Sequence, residues 1–195
     1  RGRTVSSQRW LQRQLNDPYV EEAKKRGYRS RAAFKLLQID DQFKILKPGG
    51  RIVDLGAAPG GWTQVAVERV SSGKKKGVVI GIDITPVEPI AGATVLTKDF
   101  YDDDAPAVLT ELLGGPADVV MSDMAPDTTG IRHMDQARSE ALFERALELA
   151  CATLAPGGRF VGKIFQGPDF QKLIAACRAR FATVKVMKPA SSRQI

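Results

Sequence analysis

The sequence predicts an α/β fold, a mainly parallel sheet with helices on both faces, and three observations carry that expectation. Short apolar runs bounded by turn residues alternate with stretches of helical spacing along most of the chain. The apolar runs lack a clean polar face, as strands do when helices cover both sides of their sheet. Three of the four intervening helical stretches are followed promptly by Gly or Pro. With 195 residues, 43% of them hydrophobic, the chain can bury a full core and falls in the range of one globular domain.

Taken in order, the first quarter is basic. Residues 1–51 hold 13 Lys or Arg against 5 Asp or Glu, so the net charge of +7 originates there. Here lie "RGRTVSSQRWLQRQ" and "KKRGYRSR", with Trp10, Tyr19 and Tyr28 interspersed. Such a composition neutralises phosphates and stacks on bases, which makes nucleic acid the leading partner; a solvated, partly disordered arm is the plainer alternative. Residues 1–27 are therefore assigned to an RNA-binding extension and 28–195 to the main domain. Next, "SRAAFKLLQIDDQF" (30–43) predicts an amphipathic helix capped by Ser30. Strand candidates follow at "RIVDLG", "GVVIGIDI", "TVLTKDF", "DVVMSDM", "RFVGKIF" and "TVKVMKP". Between them, helices are expected over "GGWTQVAVERV", "APAVLTELLG", "DQARSEALFERALELACATL" and "PDFQKLIAACRARF". The segment "GKKKG" (73–77) reads as an exposed turn, and "TTGIRHMD", with the only histidine, His133, as a loop.

Several classes are disfavoured. No stretch approaches the roughly 20 apolar residues of a membrane span, and no signal sequence opens the chain, so a cytoplasmic protein is expected. Two cysteines, Cys151 and Cys177, support neither a disulfide framework nor a zinc site, and both are expected to pack. No metal is assigned.

The chemistry collects at the strand ends. In sheets of this type ligands bind at the carboxyl ends of the strands, near the point where strand order reverses. Asp54, Asp83, Asp99 and Asp123 fall at or near the ends of the first four candidates, and Lys163 near the end of the fifth. Charges at every strand end are a poor match to chance, because a buried charge is costly unless paired or functional. The first loop, "GAAPGGW" (56–62), lacks the lysine of a phosphate-binding P-loop and has Ala where a dinucleotide fingerprint requires its second glycine. A glycine turn ringed by carboxylates suits a cationic ligand without phosphate. S-adenosylmethionine fits, with a sulfonium, an ammonium, a ribose diol and an adenine. Asp83 is placed for the ribose hydroxyls and Asp99 for the adenine amino group.

"VDLGAAPGGW", "GIDITP", "KDF", "SDMAP", "LAPGGRFVGKIFQG" and "KPASSR" occur in order and closely resemble the FtsJ-type (RrmJ-like) ribosomal RNA 2′-O-ribose methyltransferases, from about Tyr28 onward. The resemblance implies a Rossmann-like class I methyltransferase fold using S-adenosylmethionine, with cofactor contacts from Gly60, Trp62, Asp83, Asp99 and Asp123. It implies a catalytic set containing Lys35, Asp123 and Lys163. It also implies a monomer that acts on a uridine of large-subunit ribosomal RNA, within an assembled or nearly assembled large subunit. Relatives continue beyond this motif with a catalytic glutamate and a final antiparallel strand; the sequence stops at Ile195, so a truncated record is expected.

The residues make chemical sense in these roles. Methylating a ribose 2′-hydroxyl is an in-line displacement in which the hydroxyl must lose its proton. Lysine ordinarily titrates near ~10.4, but burial and a second ammonium favour its neutral form. Lys163 is the candidate base, Lys35 its cationic neighbour or an RNA contact, and Asp123 the group that orients a lysine. Outside the resemblance, Lys35 reads rather as an ordinary helix lysine snorkelling past apolar neighbours, and Trp62 reads equally as a core residue. Alternatives are an enzyme acting on transfer RNA or mRNA caps, a silent RNA-binding assembly factor, a small-molecule methyltransferase and a nicotinamide-dependent oxidoreductase. The basic first quarter speaks against the last two, and the Lys35, Asp123 and Lys163 set against the silent factor.

Overall fold

A computed structural model describes residues 5–127 and 129–193. Five strands, β1 (Arg51–Leu55), β2 (Val78–Asp83), β3 (Ala93–Thr97), β4 (Ala117–Ser122) and β5 (Leu154–Gly162), form one sheet. Their order is β3-β2-β1-β4-β5 and every pairing is parallel. Among the described residues the seven helices are α1 (Val5–Leu15), α2 (Pro18–Arg26), α3 (Ala33–Phe43), α4 (Gly61–Val70), α5 (Ala105–Leu113), α6 (Arg132–Thr153) and α7 (Phe170–Arg178).

The strands alternate side chains between two cores, as their period of two requires. Ile52, Val79, Val119 and Met121 pack under α3 and α4. Val53, Leu55, Ile80, Ile82 and Val120 face the opposite layer, with Leu109 of α5 and Leu149 of α6. Both faces are thus covered, which explains the missing polar face of the apolar runs. The chain leaves β1 toward β2 and β3, then returns to the other side of β1 for β4 and β5. This reversal lies between β1 and β4 and opens a crevice at their carboxyl ends.

Local expectations are corrected at five places. Ser30 does not cap α3, which begins three residues later at Ala33 with no side-chain cap. Residues 29–32 form a turn instead, in which the Ser30 carbonyl accepts from the Ala33 N–H (3.3 Å) and the Arg29 N–H donates to Gln64 Oε1 (2.8 Å). The sixth strand candidate, residues 183–189, pairs with no strand among the described residues, and Val186 stands 59% exposed. A run of β-branched residues is not a strand until a neighbour satisfies its backbone groups. His133 lies on the first turn of α6 rather than in a loop, because Asp135 organises the preceding turn by accepting from the Thr129 and Gly130 N–H groups. Cys177 is buried but Cys151 is exposed, so only one cysteine packs as expected. Lys163, expected within the fifth strand candidate, lies one residue past β5, an edge strand of the sheet among the described residues; its N–H still donates to the Ser122 carbonyl at 3.0 Å.

The basic N-terminal stretch contains α1 and α2, apart from residues 1–4, which lie outside the described residues. Asp17 caps α2 by accepting from the Tyr19 N–H (3.0 Å), Pro18 opens the helix, and Gly27 closes it at φ 74°. Buried Ala23 and partly buried Tyr19 join the core beneath α3, where Tyr19 packs on Phe34.

Candidate active site

The loop between β1 and α4 turns on two glycines. A side chain at Gly56 (φ 68°) would collide with Met124, and one at Gly60 (φ 120°) would meet Ile90 and Arg29. Only glycine adopts such a backbone without strain. The Ala58 N–H donates to Asp83 Oδ2 (2.9 Å), so the loop is tied to the end of β2. Asp83 Oδ1 accepts from the Thr85 N–H (2.8 Å), and each carboxylate oxygen retains a lone pair for a ligand hydroxyl. Asp99 lies two residues beyond β3 with its carboxylate exposed, and accepts from the Tyr101 N–H (2.9 Å). Gly60, Asp83 and Asp99 therefore share one end of the sheet.

Trp62 turns the other way. It is buried, and its indole N–H donates to the Ala32 carbonyl (2.8 Å), joining α4 to the start of α3. Asp54 is likewise withdrawn from the crevice: it is 2% exposed and accepts from Thr63 Oγ1 at 2.7 Å. Burial, seconded by the nearby Asp123 and Asp83 charges, pushes its carboxyl up to about 7 despite the Thr63 bond.

Three predicted residues meet at the crevice. Lys35 reaches across from α3 and places Nζ 3.1 and 3.3 Å from the two Asp123 carboxylate oxygens. Lys163 approaches the same carboxylate from β5, at 3.5 Å from Oδ1, and donates to the Asp123 carbonyl at 3.3 Å. Two ammonium groups share one carboxylate, and all three side chains are at most one quarter exposed. Burial lowers the Lys163 pKa from its ordinary value and Lys35 lowers it further, with Asp123 opposing both. A lysine so placed can give up its proton and then take one from a bound group. The ring of Phe165, 40% exposed, lies 5.3 Å from the Lys163 ammonium.

Sequence reasoning missed Arg29. Its guanidinium donates to the carbonyls of Glu88 (2.6 Å), Pro89 (2.7 Å) and Pro59 (3.3 Å), clamping the glycine loop to the segment after β2. Its only signal was a place within "KKRGYRSR", where it resembled one more surface cation.

A sheet of this topology, a glycine turn without a P-loop lysine, and carboxylates with two lysines at the strand ends define a methyltransferase built on a Rossmann-like sheet. The profile of the FtsJ-like methyltransferases matches residues 28–194, and the chain belongs to that family. It is 56% identical over 194 residues to the ribosomal RNA large subunit methyltransferase E of Granulibacter bethesdensis, covering 100% of this chain and 82% of that protein. The protein of the same name from Paramagnetospirillum magneticum is 58% identical over 194 residues, 98% of this chain and 80% of the relative. A crystal structure described as a ribosomal RNA methyltransferase from Plasmodium falciparum superposes with a TM-score of 0.77 at 29% identity, over 84% of this chain and 93% of that one.

Proposed function

We propose that the chain methylates the 2′-hydroxyl of a uridine ribose in large-subunit ribosomal RNA, with S-adenosylmethionine as the donor. The observation that carries this reading is the pair of lysines on Asp123 at the mouth of the crevice. The donor set suits that cofactor: acceptors with spare lone pairs at Asp83 and Asp99, a glycine turn with no room for a side chain, and no lysine awaiting a phosphate. When bound, S-adenosylmethionine supplies an electrophilic methyl group on sulfur. Asp83 would accept from the ribose hydroxyls and Asp99 from the adenine amino group, while Gly60 would admit the ligand close to the backbone.

Neutral Lys163 withdraws the proton of the attacking 2′-hydroxyl, and Asp123 holds both lysine side chains in place. Lys35 keeps a positive charge beside Lys163 and disfavours its protonated form. Orientation alone can supply roughly 7–11 kcal/mol of the barrier, so fixing the hydroxyl matters as much as its deprotonation. Ribosomal RNA is favoured as the acceptor by the names of the relatives and by the basic first quarter, whose residues 1–27 serve as an RNA-binding extension.

The test supplies labelled methyl donor to large ribosomal subunits, transfer RNA and capped mRNA. Incorporation into the large subunit alone is expected. Incorporation into another RNA would replace the substrate, and none into any RNA, with cofactor binding intact in calorimetry, would leave a silent binding factor. Binding of NAD without binding of S-adenosylmethionine would overturn the reading.

A further inference from the structure

Lys35 is the only member of the lysine pair carried by a helix from the N-terminal part of the chain, and its reach to Asp123 depends on where α3 sits. Two residues that flank it, Arg31 in the turn leading into α3 and Gln38 about one helical turn further along α3, are engaged by the same short segment near the other end of the described chain. The Ser191 N–H and hydroxyl both donate to Gln38 Oε1, at 2.9 and 2.8 Å. Arg31 Nη2 donates to the Ser191 carbonyl at 2.6 Å. Beyond it, Arg31 Nε lies 2.7 Å from Asp17 Oδ2, and Arg193 pairs with the same oxygen at 3.6 Å. Ser191 is 1% exposed, although it belongs to a segment that joins no sheet.

Ser191, buried in an otherwise irregular segment with its N–H, hydroxyl and carbonyl all bonded, marks a built contact, because a serine buried without partners would be costly. We propose that this clasp, Ser191 on Gln38 and Arg31, is a positioning device that holds the Lys35 face of α3 against Asp123 and so keeps a second ammonium beside Lys163. Gln38, Ser191 and Arg31 touch none of the three site residues through any bond described above; they act through the placement of α3. If the clasp opens, Lys35 withdraws and Asp123 is left to Lys163 alone. Both changes favour the charged form of Lys163, whose charged neighbours are Asp123 and Lys35.

The inference rests on the proposed function only for the task given to Lys163, and its test needs no substrate. The Lys163 ammonium is titrated by NMR in protein carrying labelled lysine, with its signal assigned through Lys163→Met. Gln38→Met and Ser191→Ala are each expected to raise its titration by at least ~0.3 pH unit, a twofold fall in the neutral fraction below the midpoint. In methyl transfer, the same variants are expected to lose a similar factor at neutral pH and to recover it at alkaline pH. A purely structural loss would not be recovered in this way. An unchanged Lys163 titration in folded variants would overturn the clasp and leave the methyltransferase reading standing. Should Gln38→Met not fold, Ser191→Ala decides alone, since it removes one hydroxyl and keeps the backbone bond to Gln38. Conversely, absent methyl transfer with a shifted titration would remove the reaction and keep the clasp.

Discussion

At the scale of single residues, the account turns on where protons reside. Burial and Lys35 hold Lys163 below its usual value, so the rising limb of the pH–rate profile should lie below pH 10.5. Lys163→Ala should remove that limb and lower transfer by roughly 100-fold or more, the usual contribution of a positioned base, with S-adenosylmethionine affinity in calorimetry unchanged. Asp54 gives an independent check on stability. Its carboxyl is raised from 3.8 to about 7, so the folded protein keeps a proton that the unfolded chain releases between those values. The stability it confers is complete below 3.8 and is lost as pH rises through about 7, at a slope of up to about 1.4 kcal/mol per pH unit. Urea unfolding across that range should show this slope, and Asp54→Asn should flatten it. The sequence already singled out Lys35, Asp123 and Lys163. It was silent on Asp54 as a buried acid, because a strand-end aspartate looks the same whether its side chain enters the crevice or turns toward Thr63.

At the scale of elements, period and punctuation were the legible features. The first five strand candidates and the four later helices form near their expected positions because each has an apolar face and three of the four helices meet a prompt Gly or Pro. Residues 183–189 carried the same local signal without a partner strand, and local pattern has no access to pairing. α2 was legible too, since Asp17 and Pro18 mark a helix start and Gly27 its end, but the density of charge drew attention to the surface instead. Two predictions belong here. Asp17→Ala removes both the α2 cap and the carboxylate shared by Arg31 and Arg193; it should destabilise by about 3 kcal/mol in urea unfolding, the order of a broken, largely buried pair. Gly60→Ala forces an alanine to φ 120° against Ile90, which should strain the loop by about 1–3 kcal/mol and weaken cofactor binding in calorimetry more than it lowers the melting temperature.

At the scale of the whole molecule, charge and chemistry are divided between two regions. Residues 1–51 carry the basic excess, while the crevice is acidic apart from its two lysines. In the proposed function, RNA is drawn by the first region and modified in the second. Removing residues 1–16 takes away α1 and four arginines and spares α2, which packs on α3. The salt dependence of RNA binding should then become shallower by up to about 3 in log–log slope, with cofactor affinity unchanged. No helix among the described residues is long and apolar enough to cross a membrane. The central claim joins both regions in one reaction on a ribose hydroxyl. Its most direct measurement is alkaline cleavage of large-subunit RNA after incubation with S-adenosylmethionine and the protein, since a methylated 2′-oxygen cannot attack the adjacent phosphodiester. One newly resistant bond, on the 3′ side of a uridine and absent with Lys163→Ala, is predicted; transfer with no resistant bond, or resistance that survives Lys163→Ala, would contradict the account.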